Sequence, residues 1–305
     1  MRRVAARAER ARRLSSADLA RLRYAAGGKV DVTRSLFGPH TVTWRVNRET
    51  TLLLGGGRAL LLQIAHPLVA AGVAAHSNYQ REPLQRLWRT LDLTLTMVFG
   101  SAADALLAVR QVERVHAQVH GELAEAVGPF AAGTCYDAND PALLFWVHAT
   151  LVDSAVYAYE RLVAPLDAAE RAALYRESQI SARLFGVPEA LIPPTWSAFR
   201  TYMGDMIGGP MLAVGLASRT IAAGLLSPPL PFGLRQLAAP TRLFTIGLLP
   251  AVIRRRYGYR WTRNHQRALD ALIAAIRAGL PVLPGIARTF PHARRALAAL
   301  PIPLP

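Results

Sequence analysis

Arg86, Arg89 and Thr90, in the run R-L-W-R-T, and His116 and His120, in R-V-H-A-Q-V-H-G, are the residues whose types and spacing point most directly to chemistry. An arginine and a neutral imidazole are costly to hold among apolar helices unless a group there uses them. Iron porphyrin is one such group. A histidine ligates the iron, and donors on the opposite side hold an oxygen ligand. Plainer readings stand beside it. Glu82 lies four residues before Arg86, so an exposed i, i+4 ion pair explains that arginine equally. His116 and His120 fall one turn apart on a helical pattern and can chelate a metal by themselves, although the H-E-x-x-H arrangement of a zinc hydrolase is missing. Either one can also be a half-exposed helix residue.

Three further histidines read as structural or supporting residues. His66 precedes Pro67 in an apolar helix, as a core residue or a pocket wall. His76 opens the polar run H-S-N-Y-Q-R-E-P and can line an entrance. His148, in W-V-H-A-T-L, can bond Asp153 or a backbone carbonyl. Asp137, Asn139 and Asp140 resemble part of a calcium loop, but the twelve-residue pattern is incomplete and a turn is expected. The G-G-G of residues 55–57 lacks the phosphate-loop and dinucleotide fingerprints, so it is expected to allow close helix packing.

The elements that must position these residues are helical. Apolar residues recur at i, i+3 and i+4 from about 50 to 225, and strand alternation is scarce. Residues 50–76 are apolar enough to span a bilayer, but Arg58, Gln63, His66, three glycines and Pro67 interrupt them, so a buried helix pair is expected. A helix follows over 82–99. Gly100 ends it, and Ser101 caps the next one, predicted over 101–126 with both histidines on one face. Further helices are expected over 141–163 and 167–185. The nearly uncharged stretches 211–226 and 243–253 are expected in the core or a tunnel wall rather than on lipid. The whole is an all-α chain with three parts: a basic arm and lead-in over 1–45, a helical core over 46–225, and a Pro-rich basic extension over 226–305.

Composition sets the outer limits. With 305 residues and 52% hydrophobic content the chain can bury a sizeable core. Its single cysteine, Cys135, excludes an internal disulfide and any Cys-rich metal site. The net charge of +16 sits at the ends: +6 over residues 1–23, +9 over 253–305, and +1 between them. Such ends suit a solvated surface, or peripheral contact with anionic membrane. No zinc-finger or RNA-motif signature accompanies them, so no nucleic-acid partner is expected. No apolar run follows the M-R-R start, so residues 1–23 read as an arm rather than a signal peptide. A cytoplasmic chain, with membrane association open, is the expectation.

The ordered series L-L-Q-I-A-H-P-L-V-A-A-G-V-A-A-H-S, R-L-W-R-T, V-F-G, V-H-A-Q-V-H-G, Y-D-A-N-D-P-A-L-L-F-W-V-H-A-T-L-V-D-S and L-F-G-V-P, over about 45–225, resembles the MpaB-like and rubber oxygenase (latex clearing protein) catalytic-domain family. The resemblance implies an all-α fold with a globin-like core, b-type haem, and dioxygen-dependent attack on an apolar, isoprenoid-like small molecule. It implies His116 as the proximal iron ligand, with His120 the alternative. Arg86 and Thr90 match the distal R-x-x-x-T element. Arg89 stands where the rubber-cleaving members carry a lysine, and a guanidinium, which keeps its proton, is a poor distal ligand. Residues 60–80 hold no Glu or Asp, so the distal glutamate of the rubber-cleaving members has no counterpart. The alternative function is a non-catalytic haem- or lipid-binding protein using the same pocket.

Overall fold

The computed structural model describes residues 9, 14–76, 83–227 and 238–299, with backbone only at 83–89 and 238. Most of the basic arm, part of the Pro-rich stretch and the P-I-P-L-P end lie outside the described residues. The helices, in chain order, are α1 (Ser16–Ala26), α2 (Val42–Asn47), α3 (Leu53–Gln63), α4 (Pro67–His76), α5 (Pro83–Phe99), α6 (Ala102–His116), α7 (Pro141–Leu162), α8 (Ala168–Leu184), α9 (Trp196–Gly208), α10 (Leu216–Leu226), α11 (Ala238–Gly247), α12 (Ala251–Arg256), α13 (Arg263–Gly279), α14 (Gly285–Arg288) and α15 (Pro291–Leu297). Between α6 and α7 lies an antiparallel pair, β1 (His120–Glu122) with β2 (Cys135–Asp137). Among the described residues the protein is all-α apart from that ribbon.

Local chemistry sets the helix starts. Ser15 with Asp18, Ser101 with Asp104 and Asp167 with Glu170 form reciprocal capping boxes. Asp140 caps α7 by accepting from the amides of Ala142 and Leu143, with Pro141 in the first turn.

The core is assembled around α7. Phe145, Trp146, Ala149, Val152, Val156 and Tyr159 are buried in one cluster with Leu61, Leu62, Tyr175 and Phe199. By length and composition α7 could cross a membrane, yet 61% of its apolar window is buried inside the protein, as in a core helix. Residues 50–63 and 67–76 form the expected pair, bent by 105° at the break before Pro67, where the proline disfavours helical geometry in the residue ahead of it. Ile221, Ala222 and Leu226, and Phe244, Ile246, Leu248 and Leu249, are buried, so each uncharged stretch sends one face into the core, while Met211 and Leu216 are exposed.

α3 is held between α7 and α11. The glycine run explains how. A Cβ on Gly55 would meet the Ala158 Cβ at 2.8 Å, and one on Gly57 would meet Thr245 Oγ1 at 2.3 Å, while Gly56 faces open space. Residues two apart on a helix point to nearly opposite sides, so the outer glycines admit one neighbour each.

Arg58 ties the same three helices by charge. It is buried and donates from Nε to the Leu248 carbonyl (2.9 Å), from Nη1 to Ser154 Oγ (2.6 Å) and from Nη2 to Asp153 Oδ2 (2.6 Å). Arg200 holds the other oxygen of Asp153. Arg58 also lies over the Tyr157 ring, 4.8 Å from its centroid.

Arginines of the C-terminal third finish helices as well. Arg256 donates to the carbonyls of Ile207, Gly208 and Gly209 where α9 ends. Arg219 donates to those of Arg256 and Tyr257 where α12 ends. Arg254 donates to Gly247 where α11 ends, and stacks 4.9 Å above the Trp261 ring. Carbonyls left unpaired at a helix C-terminus favour a cation.

Candidate functional site

The five residues singled out by the sequence fall on α5, α6 and β1. α5 carries Arg86, Arg89 and Thr90. The side chains of Arg86 and Arg89 lie outside the described residues. Thr90 is exposed, and its carbonyl accepts from Thr94 Oγ1 (2.9 Å).

His116 and His120 do not share a helical face, which corrects the predicted 101–126 helix. α6 stops at His116, and a tight turn follows, with the amides of Gln118 and Val119 bonded to the carbonyls of Val115 and His116. His120 is then the first residue of β1, paired with Asp137, and is exposed. The cause is the ribbon: Gly121 lies opposite Tyr136, and a Cβ there would come within 2.7 Å of the Tyr136 hydroxyl. A side chain at 121 would therefore clash with the tyrosine that the ribbon brings opposite it. A one-turn di-histidine chelate on a helix is thereby removed.

His116 remains in a setting suited to a ligand. It is half-buried, and its Nδ1 is shut from solvent with no hydrogen-bond partner. Burial pushes its pKa down, while Asp137, Glu113 and a backbone hydrogen bond at Ala138 pull the other way. Burial, the largest of these effects, favours the neutral ring.

Two further imidazoles are neutral for the same reason. His66 sits at the corner between α3 and α4, buried, 5.2 Å from the Phe130 ring, with Nδ1 unpartnered. Burial lowers its pKa to about 4 against a small opposing pull from Asp140. His148, 6.2 Å from Phe145, is lowered to about 4 by burial. Asp153 is not its partner, because both carboxylate oxygens are taken by Arg58 and Arg200. Asp137 and Asp140, which act on His116 and His66 respectively, belong to a single turn. That turn is closed by Asp137 Oδ1 accepting from the Asn139 amide (2.7 Å), so the calcium-loop fragment is the expected turn.

His76 ends α4 rather than lining a loop. Its Nε2 lies 3.1 Å from the His120 carbonyl oxygen and 3.3 Å from the Tyr136 hydroxyl. The Tyr136 ring in turn lies 3.7 Å from where a Cβ on Gly72 of α4 would stand. His76, Tyr136 and Gly72 thus fasten the ribbon to α4. Sequence reasoning passed over Tyr136 and Phe130. The one signal was an isolated Gly121 between polar residues, readable as a close approach only once the ribbon is known. Among the described residues no three His, Cys, Asp or Glu side chains gather as a metal site.

Fold and site together define an all-α protein that keeps several imidazoles neutral around the N-terminal end of its central helix. Residues 44–278 match the family described as ER-bound oxygenase mpaB/B'/rubber oxygenase, catalytic domain, and the chain belongs to that family of oxygenases. Two uncharacterised proteins, from Mycobacterium bovis and Mycobacterium tuberculosis, are each 29% identical to it over 237 residues, covering 76% of this chain and 89% of the relative. No solved structure gives a significant match.

Proposed function

We propose that the protein is a haem-b-dependent oxygenase acting on an apolar, isoprenoid-like small molecule, with His116 as the residue that holds the iron. What supports this reading is the place of His116 in the V-H-A-Q-V-H-G run of an oxygenase-family chain, together with a buried, unpartnered Nδ1 that His66 also has. A neutral imidazole with an unused nitrogen is what an iron ligand must be, and leaving one buried and unpaired is otherwise costly. His120 fits less well, because its side chain is exposed.

Haem, when bound, supplies the binding and activation of dioxygen. The chain supplies position and polarity. The negative charge of Asp137 lies near enough to His116 to oppose the effect of burial on its ring. Arg86 is the donor assigned to the oxygen side, where a fixed cationic donor stabilises developing negative charge; Thr90, which is exposed, is matched to it through the R-x-x-x-T run alone. Arg89 keeps its proton and acts there as a charge rather than a ligand.

The test compares haem content and the Soret band of the wild type, His116→Ala and His120→Ala, purified from iron-supplemented cultures. The expected result is a loss of about tenfold or more in bound haem for His116→Ala alone. Full haem content with an unshifted band in His116→Ala would overturn the assignment. Oxygen uptake with prenyl substrates then separates an oxygenase from a haem carrier.

A further inference from the structure

The end of α13 and the turn after it form a surface that the oxygenase reading does not use. Val282, Leu283 and Ile286 are 82%, 45% and 68% exposed, and Pro281, Pro284 and Ala287 beside them are exposed too. Soluble proteins rarely leave such contiguous apolar side chains in water without a use for them. The prolines hold the turn in shape, so burying it elsewhere demands little ordering.

The helix leading into this turn is basic on its outer face. Arg263, Arg267, Asp270 and Arg277 follow 4-, 3- and 7-residue steps, which place them in one stripe of α13, and all four are exposed. Leu269 and Ile273 are buried on the other face. Arg161 pairs with Asp270 at 3.0 Å and cancels the stripe's single acid. The three stripe arginines have no carboxylate partner among the described residues, and Asp270 is the sole acid over 253–305.

We propose that this face docks on an anionic phospholipid bilayer, the arginine stripe meeting headgroups and Val282, Leu283 and Ile286 entering the interface. Charge selects the occupant. A second copy would set the same arginines against each other, whereas an anionic bilayer neutralises them. Apolar side chains clustered at one turn beside cations suit shallow insertion. The inference stands without haem, so its failure leaves the oxygenase reading intact.

The test is co-sedimentation of the full chain with vesicles of phosphatidylcholine alone or mixed with phosphatidylglycerol. Binding is expected for the mixed vesicles only, and it should weaken as salt rises. Arg267→Gln and Arg277→Gln should each reduce it about fivefold, and Val282→Ser with Ile286→Ser at least about tenfold. These positions are exposed, so the variants should keep wild-type melting temperatures. Ile286→Trp should bind more tightly and show a blue-shifted emission on mixed vesicles. No binding by the wild type, equal binding to both vesicles, or variants that bind like the wild type would each overturn the proposal. So would a lipid-free dimer that Ile286→Ser disperses, which would make a second copy the occupant.

Discussion

Asp153→Ala tests the charged joint at the centre of the core. Asp153 is 3% exposed, and both carboxylate oxygens are used, Oδ2 by Arg58 at 2.6 Å and Oδ1 by Arg200. Removing the carboxylate leaves Arg58, itself 4% exposed, with only a hydroxyl and a carbonyl. An unpaired buried charge of this kind costs about 3–5 kcal/mol. With a urea slope of about 3 kcal/mol per molar, the unfolding midpoint should fall by about 1 to 1.7 M. Asp153→Asn keeps one acceptor but turns an amide donor toward the other guanidinium, and should cost about 2 kcal/mol. The double variant Arg58→Met with Asp153→Leu removes both charges, and Arg200 is half-exposed, so it is free to turn to solvent. That double variant should lose less than Asp153→Ala alone. The reasoning is wrong if Asp153→Ala costs under about 1 kcal/mol, or if the double variant loses the sum of its single changes.

Two predictions complete the set. Burial holds His66 at about 4 against 6.5 in an unfolded chain, so the unfolded form binds more protons between those values. Stability from this residue is full above about pH 6.5 and is lost as pH falls toward 4, by about 3 kcal/mol in all. Melting temperatures should therefore drop from pH 7 to pH 5, and less steeply in His66→Gln. A flat profile, or an unchanged slope in the variant, would contradict this. Gly55→Ala would press a methyl to 2.8 Å from the Ala158 Cβ and should cost about 1–3 kcal/mol. Gly56→Ala faces open space and should gain about 0.5–1 kcal/mol. Equal thermal shifts for the two alanines would refute the packing argument.

The parts of the fold legible in sequence were those set by local chemistry. Ser101, Asp140 and Asp167 begin helices because a cap acts within three residues. The bend at His66 follows from Pro67. The run to 126 failed because helical periodicity is a local signal, whereas residues 120–122 pair with a strand at 135–137 that the local pattern does not show. His148 and Asp153 are near in sequence, but residues five apart on one helix do not face each other. The carboxylate goes instead to Arg58 and Arg200, 95 and 47 residues distant, and long-range pairing leaves no trace in a single chain's pattern. His116 was picked out as a residue type, but the free ring nitrogen that makes it useful is a property of the packing.

The arginines that finish α9, α11 and α12 carry a consequence for how this chain can vary. Arg219 and Arg256 work through several N–H groups at once, Arg256 reaching three carbonyls, while Arg254 joins one carbonyl to a ring contact. A lysine keeps the positive charge but offers a single compact ammonium that cannot span them. Exchanging arginine for lysine at Arg219, Arg254 and Arg256 would leave the isoelectric character nearly untouched and loosen three inter-helix joints together. A surplus of cations that looks like genomic bias in the composition is, at these positions, joinery.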